Sequence, residues 1–154
     1  MVAAAGSPAP ARTGRNALVL IAHDPLASAL RSAAMHILPA AAQELVAVDV
    51  NASLTLEANR RLARSALQSI NKSHGILLLA DIVGATPCNI ASWLVRDLAH
   101  ARLLAGVNLA MLLRALTYRN EPLDVLLERA REGGATGVVV LSAAAATHGA
   151  GHDA

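Results

Sequence analysis

Residues 17–25 read Ala17-Leu18-Val19-Leu20-Ile21-Ala22-His23-Asp24-Pro25. An unbroken apolar run stops abruptly at a histidine, and an Asp-Pro pair follows. A continuous apolar run closed by a turn signal is the pattern of a strand buried on both faces. Aspartate followed by proline matches a helix N-cap followed by the first helical position. The stretch therefore predicts a strand over Ala17–Ala22 feeding a helix over Pro25–Leu38, with His23 at the carboxyl end of the strand. In open α/β sheets that edge is where ligands and chemistry collect. From position alone, His23 is equally well a turn histidine satisfied by backbone.

The same alternation continues outward. Glu44–Val50, Gly75–Ala80, Ala101–Val107 and Thr136–Leu141 read as further strands. Between them, Ser53–Ile70, Pro87–Leu98, Leu109–Tyr118 and Pro122–Glu132 carry apolar residues at helical spacing. Asn51 or Ser53 is the expected cap of the second helix, and Gly133 and Gly134 the expected stop of the last. Strands alternating with helices imply a mainly parallel sheet wrapped by right-handed crossovers. Residues 1–16 read as a disordered leader without a signal-peptide core, 17–141 as one domain, and 142–154 as a disordered Ala/Gly/His tail.

Composition narrows the function. Aromatic residues make up 1% of the chain, with one Trp, one Tyr and no Phe. That is too few for base-stacking recognition of nucleic acid. The net charge is +2 without a basic cluster. No apolar run reaches the roughly 18–20 residues of a membrane span, so no membrane insertion and a cytoplasmic location are expected. The lone Cys88 excludes an internal disulfide and a CxxC metal or redox site. His148 and His152 stand four apart, but Gly149 and Gly151 between them oppose a helical metal site. No metal and no cofactor are expected. Neither a Walker sequence nor GxGxxG occurs, which disfavours direct nucleotide use.

A second strand end carries the chemistry further. Asp81 closes the apolar run GILLLA, and the following loop runs DIVGATPCN. If the first and third strands are neighbours, His23 and Asp81 can meet. Gly84 permits a tight turn. Thr86-Pro87 repeats the cap-then-proline pattern, so a third helix begins with unpaired backbone N–H groups and a hydroxyl, an anion site. A neutral imidazole attacks phosphorus through one nitrogen when the other holds the proton. A carboxylate accepting from that N–H fixes the tautomer and stabilises the cation that forms. Asp81 fits the role of orienter, and Thr86 with Gly84, Ala85 and the helix amides the role of phosphate cradle. Asp81 as a loop cap and Thr86 as a plain N-cap are the simpler alternatives.

Taken in order, IAHDPLASAL, LLLADIVGATPCNIAS and AGVNLAMLLRAL resemble the EIIA domains of the mannose family of the phosphoenolpyruvate–sugar phosphotransferase system. The resemblance covers roughly 17–141. It implies a phosphohistidine carrier that accepts a phosphoryl group from HPr and passes it to an EIIB partner. His23 then matches the phosphorylated histidine, Asp81 its paired aspartate, and Thr86 a phosphate-holding hydroxyl. The implied fold is a four-stranded parallel sheet of order 2-1-3-4 with helices on both faces. A fifth, antiparallel strand, here Thr136–Leu141, is exchanged within a homodimer.

Two departures stand out. The family places Gly after the active histidine, where this chain has Asp24. That carboxylate would repel a phosphoryl group unless it turns away to cap its helix. No EIIB-like segment follows, which leans toward stand-alone regulatory members. Three other readings stay open: an interaction protein controlled by its phosphorylation state, a phosphoryl carrier for a dihydroxyacetone kinase, and a flavodoxin-like ligand-binding domain.

Overall fold

Strand β1 (Ala17–His23) is the centre of the molecule, and Leu18 through Ala22 are fully buried. In the computed structural model, which describes residues 14–70 and 74–143, β1 pairs in parallel with β2 (Val46–Val50) on one side and β3 (Ile76–Ala80) on the other. Strand β4 (Ala101–Ala105) extends the sheet beyond β3, giving the order β2-β1-β3-β4. This is the expected order, reached because each crossover helix returns the chain to a parallel strand.

The period of two divides the sheet into two cores. Leu18, Leu20 and Ala22 of β1 and Leu77 and Leu79 of β3 meet helices α1 (Leu26–Ile37), α2 (Pro39–Ala42), α5 (Leu109–Thr117) and α6 (Leu123–Thr136). Val19, Ile21, Leu78 and Ala80 meet α3 (Leu56–Ala66) and α4 (Thr86–Arg96) on the opposite face. With both faces covered, the central strands have no polar side, which is why their sequence runs are continuous.

Several element boundaries move. Helix α3 starts later than expected, because neither Asn51 nor Ser53 caps it. Thr55 does, its hydroxyl accepting from Ala58 N–H at 3.1 Å. Asn51 instead accepts from Ser53 N–H at 2.8 Å, closing a local turn. Helix α3 ends in a 3-10 turn, Leu67–Ser69. Its inner side is Asn59 and Ala63, while Leu62 is exposed.

The Gly133-Gly134 pair does not stop α6, which runs through both to Thr136. The glycines lie where α6 crosses α5, and a Cβ on Gly133 would fall 2.6 Å from the Arg114 Cβ. They serve close packing rather than termination. The expected strand Thr136–Leu141 is accordingly absent from the chain's own sheet. Thr136 ends the helix, and Val138–Leu141 lie exposed without secondary structure.

Residues ahead of Ala17 take part in the fold. Asn16 is buried, and its amide donates to the carbonyls of Arg119 (2.8 Å) and Glu121 (2.7 Å). Arg119 returns two bonds to the Asn16 carbonyl, from Nε at 3.2 Å and Nη2 at 3.0 Å. Asn16 and Arg15, expected in a leader, are thus held by the fold. Residues 1–13 and 144–154, with His148 and His152, lie outside the described residues. Among the described residues no helix is long and apolar enough to cross a membrane.

Gly133→Ala weighs two effects against each other. Alanine favours helix by about 1 kcal/mol, whereas overpacking at a fixed contact costs about 1–3 kcal/mol. The contact is backbone-proximal on both helices, so overpacking wins. The urea midpoint of the variant is expected to fall, and an equal or higher midpoint would show that α5 and α6 separate freely.

Candidate functional site

The strand order reverses between β1 and β3, because the chain goes from β1 to β2 on one side and then to β3 on the other. A crevice opens at such a point beyond the carboxyl ends of the strands. His23 and Asp81 stand there. Ile21 is opposite Ala80 in the register, so the next residues of each strand emerge side by side.

The carboxylate of Asp81 organises the crevice. Its Oδ2 accepts from the His23 backbone N–H at 2.9 Å and lies 2.6 Å from His23 Nδ1. Its Oδ1 accepts from the Ile82 backbone N–H at 2.8 Å. The Asp81 carbonyl accepts from Gly106 N–H at 2.9 Å, which ties the loop after β4 to the same point. Gly106 has a φ of +89°, a conformation glycine adopts without strain.

Burial pushes the Asp81 carboxyl up, but the hydrogen bonds from the His23 N–H, the His23 ring and the Ile82 N–H outweigh it. With the attraction of the ring added, the carboxyl is held below the usual carboxylate range. An ionised carboxylate only accepts, so the facing Nδ1 must carry the proton. The free lone pair of a neutral ring is then on Nε2. The His23 side chain is 53% exposed against 6% for Asp81, so the ring reaches solvent while its anchor stays inside.

The predicted cradle is placed differently in one respect. Thr86 is not an N-cap. Helix α4 is preceded by Ala85, without a side-chain cap, and Thr86 occupies the first helical position with Pro87 second. Proline at that point lacks an N–H that the helix does not need, and Pro87 is fully buried. The helix end therefore carries no side-chain cap, with Thr86 exposed beside it. Gly84 turns the loop at a φ of +85°, and a Cβ there would meet nothing within 4 Å. Its requirement is torsional rather than steric. Ala85 stands between the turn and the helix, its N–H directed to the Ile82 carbonyl at 3.4 Å.

Asp24 also departs from expectation. The N-cap of α1 is Pro25, and no side chain caps that helix through its N-cap residue. Asp24 is exposed, and its backbone N–H donates to the Val50 carbonyl at 3.1 Å. The first turn of α1 is served from β2 instead. Asp49 accepts from the Ser28 N–H at 3.1 Å and from the Ser28 hydroxyl. Sequence reasoning missed Asp49 because the pairing spans 21 residues and depends on β2 lying beside β1. It also missed Asn59, whose buried amide exchanges bonds with the Asn51 backbone at 3.0 and 2.9 Å and fixes the turn beyond β2. Ile82 and Val83, exposed on the loop beside His23, form an apolar lip that only the folded chain reveals.

Cys88 is buried in α4, and Trp93 is half-buried under the guanidinium groups of Arg60 (5.0 Å) and Arg64 (4.4 Å). Neither adjoins a ligand-like cluster. Among the described residues no group of three or more His, Cys, Asp or Glu is placed to hold a metal.

Comparison with known proteins places this geometry. The family model for EIIA-man, described as the PTS system fructose IIA component, matches residues 17–128. The mannose-specific EIIAB component of Escherichia coli strain K12 is 38% identical over 79 residues, 50% of this chain and 24% of that longer protein. The fructose-specific EIIA component of Bacillus subtilis strain 168 is 41% identical over 54 residues, 35% of this chain and 37% of that one. The mannose/sorbose-specific IIA subunit from Enterococcus faecalis superposes with a TM-score of 0.75 at 25% identity, covering 84% of this chain and 96% of that one. A phosphotransferase EIIA component from Streptococcus agalactiae shares the fold, with a TM-score of 0.72 at 23% identity over 80% and 95% of the two chains.

Replacing Asp81 by Asn removes the charge that dictates the tautomer while keeping the shape. In the wild type, nitrogen-resolved NMR of neutral His23 is expected to show the Nδ1–H form. In Asp81→Asn the two tautomers should mix, and an unchanged ring would remove Asp81 from the role of orienter. The depressed Asp81 carboxyl also has a stability consequence. Its contribution is complete above the unfolded carboxylate range and is lost as pH falls through the lower folded value. Acid unfolding of the wild type should therefore converge on that of Asp81→Asn only at the acid end.

Proposed function

We propose, from the premise that this chain belongs to the mannose-type EIIA family of the phosphotransferase system, that it is a cytoplasmic phosphohistidine carrier with His23 as its phosphorylated residue. Members of this family are phosphotransferase components, and what this chain adds is the arrangement around one ring. The observation that carries the reading is the Asp81 bond to Nδ1, which leaves Nε2 as the exposed nucleophile.

In the proposed step the Nε2 lone pair attacks the phosphorus of phospho-HPr. A new P–N bond forms on His23 as the donor's P–N bond breaks, and the departing donor nitrogen keeps that bond's electron pair. The His23 ring gains positive character, which the Asp81 charge stabilises through Nδ1–H. The open end of α4, with Thr86 and the loop at Gly84 and Ala85, supplies donors for the phosphoryl oxygens. The onward acceptor in this reading is an EIIB-type protein or a regulatory target. The apolar lip of Ile82 and Val83 supports docking of such a protein over the ring, since exposed apolar residues beside a polar centre suit a protein contact.

Asp24 sets this chain apart. An exposed carboxylate next to the histidine, released from capping duty, adds negative charge where a phosphoryl group must arrive. We further propose a homodimer built through Val138–Leu141. These four consecutive apolar residues are 64–101% exposed, and β4 leaves one edge of the sheet unpaired.

With phosphoenolpyruvate, EI and HPr, the wild type is expected to take up an acid-labile label and His23→Ala none. Label on the alanine variant, or acid-stable label, would remove His23 from the role. In the same assay Asp81→Asn should slow transfer by about 10²-fold, as for a misoriented reactant, and Asp24→Gly should speed it. For the dimer, light scattering should give twice the chain mass for the intact protein and a monomer once residues from Val138 onward are removed. A monomeric intact chain would contradict the exchange.

A further inference from the structure

At the amino ends of the strands, opposite His23, a cleft of about 550 Å³ opens between β1, β2 and the end of the Leu67–Ser69 turn. Seven residues of β1 separate the two poles, about 20 Å at the rise of an extended strand. Ala17, Leu45, Val46 and Ile70 supply apolar wall, and Arg15 and Arg119 supply charge. Both guanidinium groups turn to one oxygen, Glu44 Oε2, from Arg15 Nη1 at 3.3 Å and from Arg119 Nη2 at 3.4 Å. Glu44 is the one carboxylate among the described residues lining the cleft. Two permanent cations thus share a single anion, and His74 stands on the same wall.

The two arginines differ in kind. Arg15 is 45% exposed, whereas Arg119 is 4% exposed and locked by bonds to the carbonyls of Asn16 and Ala41. Those carbonyls fix the Arg119 plane but bring no charge. Burial and the neighbouring Arg15 both push the Arg119 guanidinium down from its usual value, and Glu44 offsets only part. A buried cation is costly without a counter-charge, and among the described residues lining the cleft Arg119 shares its one carboxylate with Arg15. A pocket of this size, lined about equally by polar and apolar groups with two guanidinium groups converging on it, has room for a small polar ligand.

We propose that this cleft binds a small anion carrying a carboxylate or phosphate group, which completes the charge between Arg15 and Arg119. The anion sits at the base of β1, the strand whose far end carries His23, so the protein has a ligand site separate from its phosphoryl site. Arg119 orients the anion, Arg15 closes over it, and Glu44 is displaced toward solvent on binding.

The test uses His23→Ala as background, which removes anion binding that depends on the His23 ring. Pyrophosphate and citrate are titrated separately, and binding is read from backbone amide shifts. Saturable shifts at Ala17, Val46 and Arg119 are expected with at least one of the two, and which of them binds separates phosphate from carboxylate recognition. Arg15→Gln should weaken that binding about tenfold, the effect of losing one charge-assisted contact. Glu44→Gln should tighten it several-fold, because the internal competitor is gone. Both positions are on the surface, and the urea midpoint of each variant is read beside the titration, because Glu44→Gln also removes a counter-charge of the buried Arg119. Absence of shifts at these amides with either probe would overturn the proposal. So would binding indifferent to both substitutions, or shifts confined to the open end of α4. Phosphorylation of His23 in Arg15→Gln is expected at the wild-type rate, so this proposal and the carrier reading fail independently.

Discussion

The Asp81 carboxylate, nearly out of solvent at the end of β3, accepts from two backbone N–H groups and faces the His23 ring. Burial alone would push that carboxyl up from its ordinary value. The three donors reverse the direction, and the price is met only where β1 and β3 are adjacent and in this register. The continuous apolar strands, the coverage of both faces and the crossover helices all serve to hold those two strand ends together. Shifting one strand by a residue would move each of its side chains into the opposite core and part the pair at once.

Around that point, neighbouring elements take over work that local sequence leaves undone. Asp49 of β2 serves the first turn of α1, although Asp24 stands closer in the chain. Gly106 and Val107, after β4, bond to the carbonyls of Asp81 and Ala80 and close the crevice floor. Asn59 holds the turn beyond β2. The result frees two groups. The N-terminus of α4 has no side-chain cap, and Asp24 keeps its charge in solvent beside the histidine. In the proposed reading the first would suit an arriving phosphoryl group and the second would oppose it.

The opposite pole follows a different logic. There Asn16 and Arg119 staple the start of β1 to the turn between α5 and α6, across a separation of 103 residues. The staple is made with a cation, and its charge is only partly answered by Glu44. One central strand thus joins two differently charged ends, an acid-anchored histidine and an arginine-lined cleft.

Read alone, the sequence determined the alternation of strands and helices, the burial of the central strands, and the placement of His23 and Asp81 at strand ends. These are properties of local period and punctuation: a run of apolar residues ends where it ends, whatever surrounds it. The family resemblance carried the strand order and the pairing of the two residues. The tertiary structure decided what depends on partners distant in sequence. It chose Thr55 over Asn51 and Ser53 as a cap, and Asp49 over Asp24. It ran α6 through Gly133 and Gly134, because a helix–helix crossing needed their missing side chains. It also buried Asn16 and Arg119 together. Each outcome rests on a contact made across the fold, and a contact of that kind leaves no periodic trace in the chain.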